Sequence, residues 1–104
     1  MEINRNYWKK ARAGAKERGL AFRVTLKYAW AKFNRQKGRC VLSGVKLTFG
    51  YQGNASLDRI DSKKGYIPGN IQWVEKHVNR MKSNLSDYEI VYWAKKISKW
   101  NSGK

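Results

Sequence analysis

The sequence predicts a single α+β domain that spans its 104 residues. Three observations carry this prediction: apolar residues recur at helical spacing near both ends, two strand-like segments (55–60 and 71–74) flank a loop, and a helical pattern follows the second segment directly. The domain divides into a basic helical part (1–38), a core of two strands and a helix (39–82), and a C-terminal helix (86–100).

The N-terminal part is predicted to hold two helices. Over residues 6–18, Trp8 and Ala15 share one face at helical spacing. Thr25 is a suitable N-cap for a second helix, whose apolar residues repeat until Gly38. Its aromatic stripe is typical of a core face, so both helices are expected to pack against the rest of the domain.

The middle of the chain predicts short elements. Residues 39–49 alternate and turn at Ser43-Gly44, which indicates a small hairpin. The two strand-like segments follow, separated by a loop at 61–69 that holds the only proline. A helix from Glu75 to about Lys82 then completes a strand, loop, strand, helix unit.

The C-terminal helix is predicted from a capping box, Ser86-Asp-Tyr-Glu89, in which the first and last side chains bond each other's backbone. Its apolar residues lie on one face, which we expect to pack on the domain: Ile90, Trp93, Ala94, Ile97 and Trp100.

The charge of the chain predicts a polyanionic partner. There are 23 Lys and Arg against 7 Asp and Glu, a formal charge of +16. Such an excess of positive charge speeds association with phosphate-rich ligands, and this attraction weakens with salt. Nucleic acid is therefore the first choice of partner and a membrane surface the alternative. No apolar run reaches the roughly 18 residues of a spanning helix, and the start of the chain lacks the apolar core of a signal peptide. We therefore expect a cytoplasmic protein without a membrane partner.

The few acids point to a cation site. Asp58 falls at the end of the first strand, and Glu75 and Asn79 are four apart on the following helix, so they share a face. These side chains offer only oxygen ligands, which Mg²⁺ or Mn²⁺ prefers. The alternative is that Asp58 pairs with a neighbouring Lys or Arg while Asn79 bonds locally. The lone Cys40 cannot supply the paired thiolates of a structural zinc site.

Three motifs resemble one family. "CVLSG" at 40–44, "SLDRIDSKKGYIPGNIQWV" at 56–74 and "VNRMK" at 78–82 are similar to small phage-type HNH nucleases of the ββα-metal, or His-Me finger, superfamily. Upstream "ARAGAKERGLAF" resembles the leader of that group, so the likeness covers most of the chain. It implies a ββα-metal core and cleavage or nicking of double-stranded DNA with one divalent cation. It also implies a phage or mobile-element gene expressed in a bacterial cytoplasm.

The resemblance implies roles for individual residues. Asp58 and Asn79 match metal ligands, and Glu75 falls where some members carry another helical ligand. Asn70 matches the central asparagine, which holds the loop and orients the base. The residues expected to contact DNA are Arg80 and Lys82, together with Lys9, Lys10, Arg12, Lys63 and Lys64, although the lysines and arginine of the first helix are equally compatible with simple solvation.

Arg59 departs from the family, which usually has a histidine there to deprotonate water. A guanidinium stays protonated and cannot do so, but it can contact the scissile phosphate. Three ways of activating water remain: the cation without a protein base, which we prefer, then His77, then Asp61.

The alternative function is a DNA-binding module that keeps the HNH fold without its chemistry. A basic RNA-associated structural protein is a weaker reading. Both a monomer and a homodimer fit the sequence.

Overall fold

The computed structural model describes residues 3–103 and confirms the predicted α+β class. Its elements are α1 (Arg5–Glu17), α2 (Leu26–Arg35), β1 (Ala55–Arg59), β2 (Ile71–Glu75), α3 (Lys76–Lys82) and α4 (Asp87–Ser102). No helix in this range is both long and apolar enough to cross a membrane.

Side-chain caps fix where the first two helices begin. The Asn4 side chain accepts a hydrogen bond from the Tyr7 amide at 3.1 Å. The Thr25 hydroxyl accepts one from the Tyr28 amide at 3.0 Å. Each bond satisfies a helical N–H group that lacks a backbone partner. After α1, Gly19 adopts a φ of 69°, a left-handed conformation that costs glycine little and turns the chain away.

β1 and β2 form an antiparallel pair in which Leu57 faces Trp73 and Asp58 faces Gln72. Because successive side chains of a strand point to opposite faces, the two pairs lie on different faces of the sheet. The face of Leu57 and Trp73 packs on α2, whereas the face of Asp58 and Gln72 meets α3 and α4. The sheet thus separates an aromatic core from a polar layer.

Trp73 is the centre of the aromatic core. Its side chain is fully buried, and its indole N–H donates to the Ala29 carbonyl at 2.8 Å. Its ring packs edge-on against Phe33 and Phe49, with centroids 5.9 and 5.3 Å away. Tyr7 brings α1 to the same cluster at 6.0 Å. One side chain of β2 therefore joins both N-terminal helices to the sheet.

The predicted hairpin at 39–49 is reduced to a single antiparallel bridge between Arg39 and Lys46. Most side chains between these residues are exposed, so an extended pair would have no apolar face to bury. Cys40 is buried beneath this turn, where its sulfur accepts a hydrogen bond from the Ser43 amide.

α4 begins at the predicted capping box. The Ser86 hydroxyl accepts from the Glu89 amide at 3.1 Å, and the Glu89 carboxylate accepts from the Ser86 amide at 3.0 Å. Ile90 is buried against the domain, but Trp93 and Ile97 farther along the same face are 53% and 59% exposed. The helix therefore packs through its beginning, and the remainder of the predicted apolar face stays accessible.

Trp73→Ala tests the aromatic core. We expect it to lower the free energy of unfolding by about 3–5 kcal/mol, because it opens a cavity and removes the hydrogen bond from the indole to the Ala29 carbonyl. Trp93→Ala, at an exposed position, is the matched control and should change stability by less than about 0.5 kcal/mol. Urea titrations followed by circular dichroism measure both; equal losses would contradict this assignment of the core.

Candidate functional site

A cleft of about 400 Å³ opens between β1 and α3. Its charged lining contains a single carboxylate, Asp58, and four cationic side chains: Arg18, Arg59, Lys76 and Arg80. Positive charge concentrated in a concave surface attracts anions from solution. The cleft is therefore suited to a polyanion, with one acid at its base.

Asp58 presents one oxygen to the protein and the other to the cleft. Oδ2 accepts hydrogen bonds from Lys82 Nζ at 2.5 Å and Gln72 Nε2 at 2.8 Å. Oδ1 has no hydrogen-bond partner in the described part of the chain, where every fully buried side-chain nitrogen and oxygen has one. Oδ1 is therefore accessible to solvent at the cleft that Asp58 lines.

Asn79 approaches the same cleft from α3. Its Nδ2 donates to the Ser56 hydroxyl at 2.7 Å, which fixes the amide and leaves Oδ1 without a partner among the described residues. Ser56 and Asp58 are two apart on β1 and point to the same face. The strand and the helix thus bring two available oxygen atoms, Asp58 Oδ1 and Asn79 Oδ1, to one cleft.

These two oxygens are of the chemical type that a hard divalent cation binds. Mg²⁺ and Mn²⁺ bind carboxylate and amide oxygens and keep positions for water and phosphate. Within residues 3–103, no three His, Cys, Asp or Glu side chains are grouped as a metal centre. A cation would therefore rest on one carboxylate and one amide, with the remaining positions supplied from outside the chain.

Glu75, expected as a third ligand, is not part of the cleft lining. It pairs with Ala55 in the sheet, three positions from the Asp58–Gln72 pair, and it caps α3. Its Oε1 accepts from the amides of His77 at 2.6 Å and Val78 at 3.1 Å. Glu75, which the sequence suggested as a metal ligand, is instead the N-cap of α3.

His77, expected as a possible base, also lies away from the cleft. Its side chain is 65% exposed, and its Nδ1 is 2.7 Å from Glu75 Oε2. The hydrogen bond from His77, assisted by the helix amides, lowers the pKa of Glu75. His77 and Glu75 therefore contact each other, and neither lines the cleft that holds Asp58.

Asn70 fastens the loop at 61–69. Its buried amide accepts from the Asp61 amide at 2.9 Å and donates to the carbonyls of Asp61 and Gly65. The Asp61 carboxylate accepts from the Lys63 amide within the same turn, so it stabilises the loop and does not line the cleft. Asp61 is therefore poorly placed to act on a water in the cleft.

The loop also holds Arg59. Its Nη1 donates to the carbonyls of Ser62 at 2.6 Å and Lys64 at 3.1 Å. Its Nε and Nη2 have no hydrogen-bond partner in the described part of the chain. A guanidinium that is anchored by one nitrogen and free at the others can donate to a phosphate in the cleft.

The residues of the cleft that were not predicted from the sequence include the charged or aromatic side chains of Arg18, Tyr66 and Lys76. Arg18 Nη2 donates to the Tyr66 hydroxyl at 3.1 Å, and both Arg18 and Arg59 lie over the Tyr66 ring. Arg18 follows α1, 48 positions before Tyr66, so no local spacing could link them. The basic composition of the N-terminal part was the available signal, and it did not single out Arg18.

The structure corrects the expected role of Lys82. Its side chain is 1% exposed, with Nζ bonded to Asp58, to Asp87 and to the Arg59 carbonyl, so it does not face a DNA backbone. Arg80 is exposed at the cleft. The other predicted DNA contacts are exposed on α1 or in the loop, outside the cleft lining: Lys9, Lys10, Arg12, Lys63 and Lys64.

No protein-family model matches this sequence, and a search of curated proteins gave no match. A search of solved structures matched the HNH restriction endonuclease PacI, described as rare-cutting and as perturbing DNA. The fold is similar to that of an HNH endonuclease. The two chains share 25% sequence identity with a TM-score of 0.66, over 92% of this chain and 77% of PacI. This likeness supports the family that the motifs indicated, and it extends over nearly the whole domain.

Glu75→Ala separates capping from metal binding. Loss of the cap should lower the free energy of unfolding by about 0.5–2 kcal/mol while Mn²⁺ binding, followed by electron paramagnetic resonance, stays unchanged. Glu89→Ala, which removes an acid from the capping box of α4, is the matched control. A selective fall in Mn²⁺ affinity for Glu75→Ala would restore Glu75 as a ligand.

The same cap gives a pH dependence. Because the pKa of Glu75 is lowered in the folded protein, its contribution is fully present above the ordinary glutamate pKa, about 4.3, and is lost as the pH falls through the folded value. The stability difference between wild type and Glu75→Ala should therefore shrink in acid. A difference that grew on acidification would contradict the assignment.

Proposed function

We propose that this protein is a DNA endonuclease that hydrolyses phosphodiester bonds with one divalent cation, Mg²⁺ or Mn²⁺. The observation that carries the proposal is the cleft in which Asp58 Oδ1 and Asn79 Oδ1 are available beside four cationic side chains. The structural likeness to an HNH restriction endonuclease and the HNH-like motifs support the same class.

The proposed substrate is double-stranded DNA. Its backbone phosphates would enter the cleft, where Arg18, Arg59, Lys76 and Arg80 offer positive charge. The formal charge of +16 supplies a further, sequence-independent attraction that is sensitive to salt. A single copy would nick one strand at a time, whereas a double-strand cut needs two copies or two successive nicks.

Asp58 and Asn79 would hold the cation through their available oxygens, with no contribution from Glu75. When bound, the cation supplies Lewis-acid stabilisation of the charge that develops on the phosphate and the leaving oxygen. Ser56 holds the Asn79 amide in the orientation that presents Oδ1, because its hydroxyl accepts from Nδ2.

Arg59 is proposed to stabilise the transition state. Arg59 lines the cleft and is anchored to the loop through Nη1, so its other guanidinium nitrogens would be available to a phosphate bound there. Preorganised donors of this kind gain strength as negative charge develops. Since His77 and Asp61 lie outside the cleft lining, neither is proposed as the base for the attacking water, whose proton would pass to solvent.

The second candidate is a DNA-binding module without catalysis. The observation that favours it is Arg59 at the position where the resembled family carries its base. Both functions predict salt-sensitive DNA binding, and only the enzyme predicts product. Supercoiled plasmid incubated with the protein and Mg²⁺, Mn²⁺ or EDTA decides between them: cation-dependent relaxed or linear product supports the nuclease, and its absence with every divalent cation supports the module.

Asp58→Asn and Asn79→Ala test the ligand assignment. Each should abolish plasmid cleavage, because the first removes the negative charge of the carboxylate ligand and the second removes the amide oxygen. DNA affinity should stay within about threefold, since most of the affinity comes from distributed positive charge. Gel-based cleavage and fluorescence anisotropy measure the two quantities. Wild-type cutting rates in both variants would mean that the site is elsewhere.

Arg59→Ala tests transition-state stabilisation and should lower kcat by roughly 10²–10³. Arg80→Ala, an exposed arginine of the same cleft, is the comparison and should act mainly through KM. Arg59→His, which installs the residue usual in the resembled family, should also lower the rate if the guanidinium has its own task. A faster Arg59→His enzyme would show instead that this position has lost a base.

A further inference from the structure

Lys82 is at the centre of a buried polar network behind the cleft. Its Nζ donates hydrogen bonds to Asp58 Oδ2 at 2.5 Å and to the Arg59 carbonyl at 3.0 Å, and it forms an ion pair with Asp87 Oδ1 at 3.0 Å. Gln72 Nε2 contacts the same carboxylates, at 2.8 Å from Asp58 and 3.0 Å from Asp87. Four elements, β1, β2, α3 and the start of α4, are thus joined through this ammonium group and the two carboxylates beside it.

Burial makes this network unusual for a lysine. The Lys82 side chain is 1% exposed and that of Asp58 6%, so both charges have lost most of their hydration. A buried charge is costly unless it is paired and fully hydrogen-bonded. Lys82 is paired with two carboxylates, and it donates hydrogen bonds to Asp58 and to the Arg59 carbonyl. The same condition fixes the geometry of each partner, because any displaced carboxylate would leave the ammonium group unsatisfied.

The network binds only one of the two carboxylate oxygens of Asp58. Lys82 and Gln72 both bind Oδ2, and neither contacts Oδ1, which is the oxygen available at the cleft. Rotation of the carboxylate would break two hydrogen bonds in a buried environment. The contacts therefore select the orientation in which Oδ1 is presented.

We infer that Lys82 is a positioning residue for the proposed nuclease: with Gln72 it fixes Asp58 so that Oδ1 is presented to the cation, and Asp87 of α4 holds Lys82 in place. The inference rests on the proposed function and adds residues that do not line the cleft. The bond from Lys82 to the Arg59 carbonyl extends its influence to the backbone of the residue that faces the phosphate.

Charge balance is consistent with this role. Lys82 alone beside Asp58 would neutralise the carboxylate and weaken its attraction for a cation. Asp87, bonded to the same ammonium group, offsets that effect, so the three groups together keep one negative charge. The network thus fixes the ligand while preserving its net charge.

The test uses the charge-matched double variant Lys82→Met/Asp87→Asn in the full chain. It removes one positive and one negative charge and leaves Asp58 held by Gln72 alone. Loss of such outer contacts typically costs 10–100-fold in metal affinity or activity, so we expect Mn²⁺ affinity to fall by about that factor. DNA affinity should stay within about threefold, because net charge is unchanged. Lys95→Met, on the exposed part of α4, is the control for a lysine replacement and should match wild type.

For the single variant Lys82→Met, electrostatics and positioning predict opposite changes in Mn²⁺ affinity. It makes the group more negative, so electrostatics alone would raise Mn²⁺ affinity, whereas loss of positioning should lower it. Circular dichroism establishes that each variant is folded. If the Lys82 variants do not fold, Gln72→Met, which replaces one neutral side chain by another, should still lower Mn²⁺ affinity by severalfold, as loss of an outer-shell contact does.

The outcomes separate the inference from the function on which it rests. A wild-type protein that cuts plasmid, together with a folded double variant that binds Mn²⁺ and cuts equally well, would overturn the positioning role alone. Increased Mn²⁺ affinity in Lys82→Met would overturn it as well. A wild-type protein that neither binds Mn²⁺ nor cuts would overturn the proposed function itself, and the inference with it.

Discussion

The buried ammonium group of Lys82 is the constraint on which the polar half of this domain depends. Loss of one partner from a buried ion pair typically destabilises a protein by about 3–5 kcal/mol. The folded structure must therefore keep both carboxylates next to Lys82. This requirement constrains how β1, α3 and the first turn of α4 lie relative to one another. The cleft is the space left between β1 and α3 once those positions are fixed.

The opposite face of the sheet is held by apolar contacts. A two-stranded sheet is marginal by itself, and here α2 covers it through Trp73, whose indole also bonds the helix backbone. Alternation along β2 then sends Gln72 to the polar side. Trp73 therefore contributes to the core and the adjacent Gln72 to the candidate site. A shift of one residue in the pairing of β2 with β1 would place each side chain on the wrong face.

Local signals predicted the local structure well. Thr25 and Ser86 act as the caps that their surroundings indicated, and the strands fall within a residue or two of the expected bounds. The sequence also indicated Asp58 and Asn79, which the structure brings to one cleft. It did not indicate the contacts of Lys82 and Glu75, because helical spacing gives only the face on which a side chain lies. Lys82 pairs with a buried carboxylate, and Glu75 caps the start of α3.

The fastening of the loop at 61–69 has a consequence for how this protein can change. Surface loops usually absorb inserted residues, because their backbone bonds mainly to water. This loop is bonded at both ends, through the Asn70 amide and through Arg59, so an added residue would displace the guanidinium at the cleft. Insertions should be better tolerated near Tyr51, whose side chain is 94% exposed. The two loops should therefore differ in their tolerance to a change of length, since only the loop at 61–69 holds a side chain of the cleft in place.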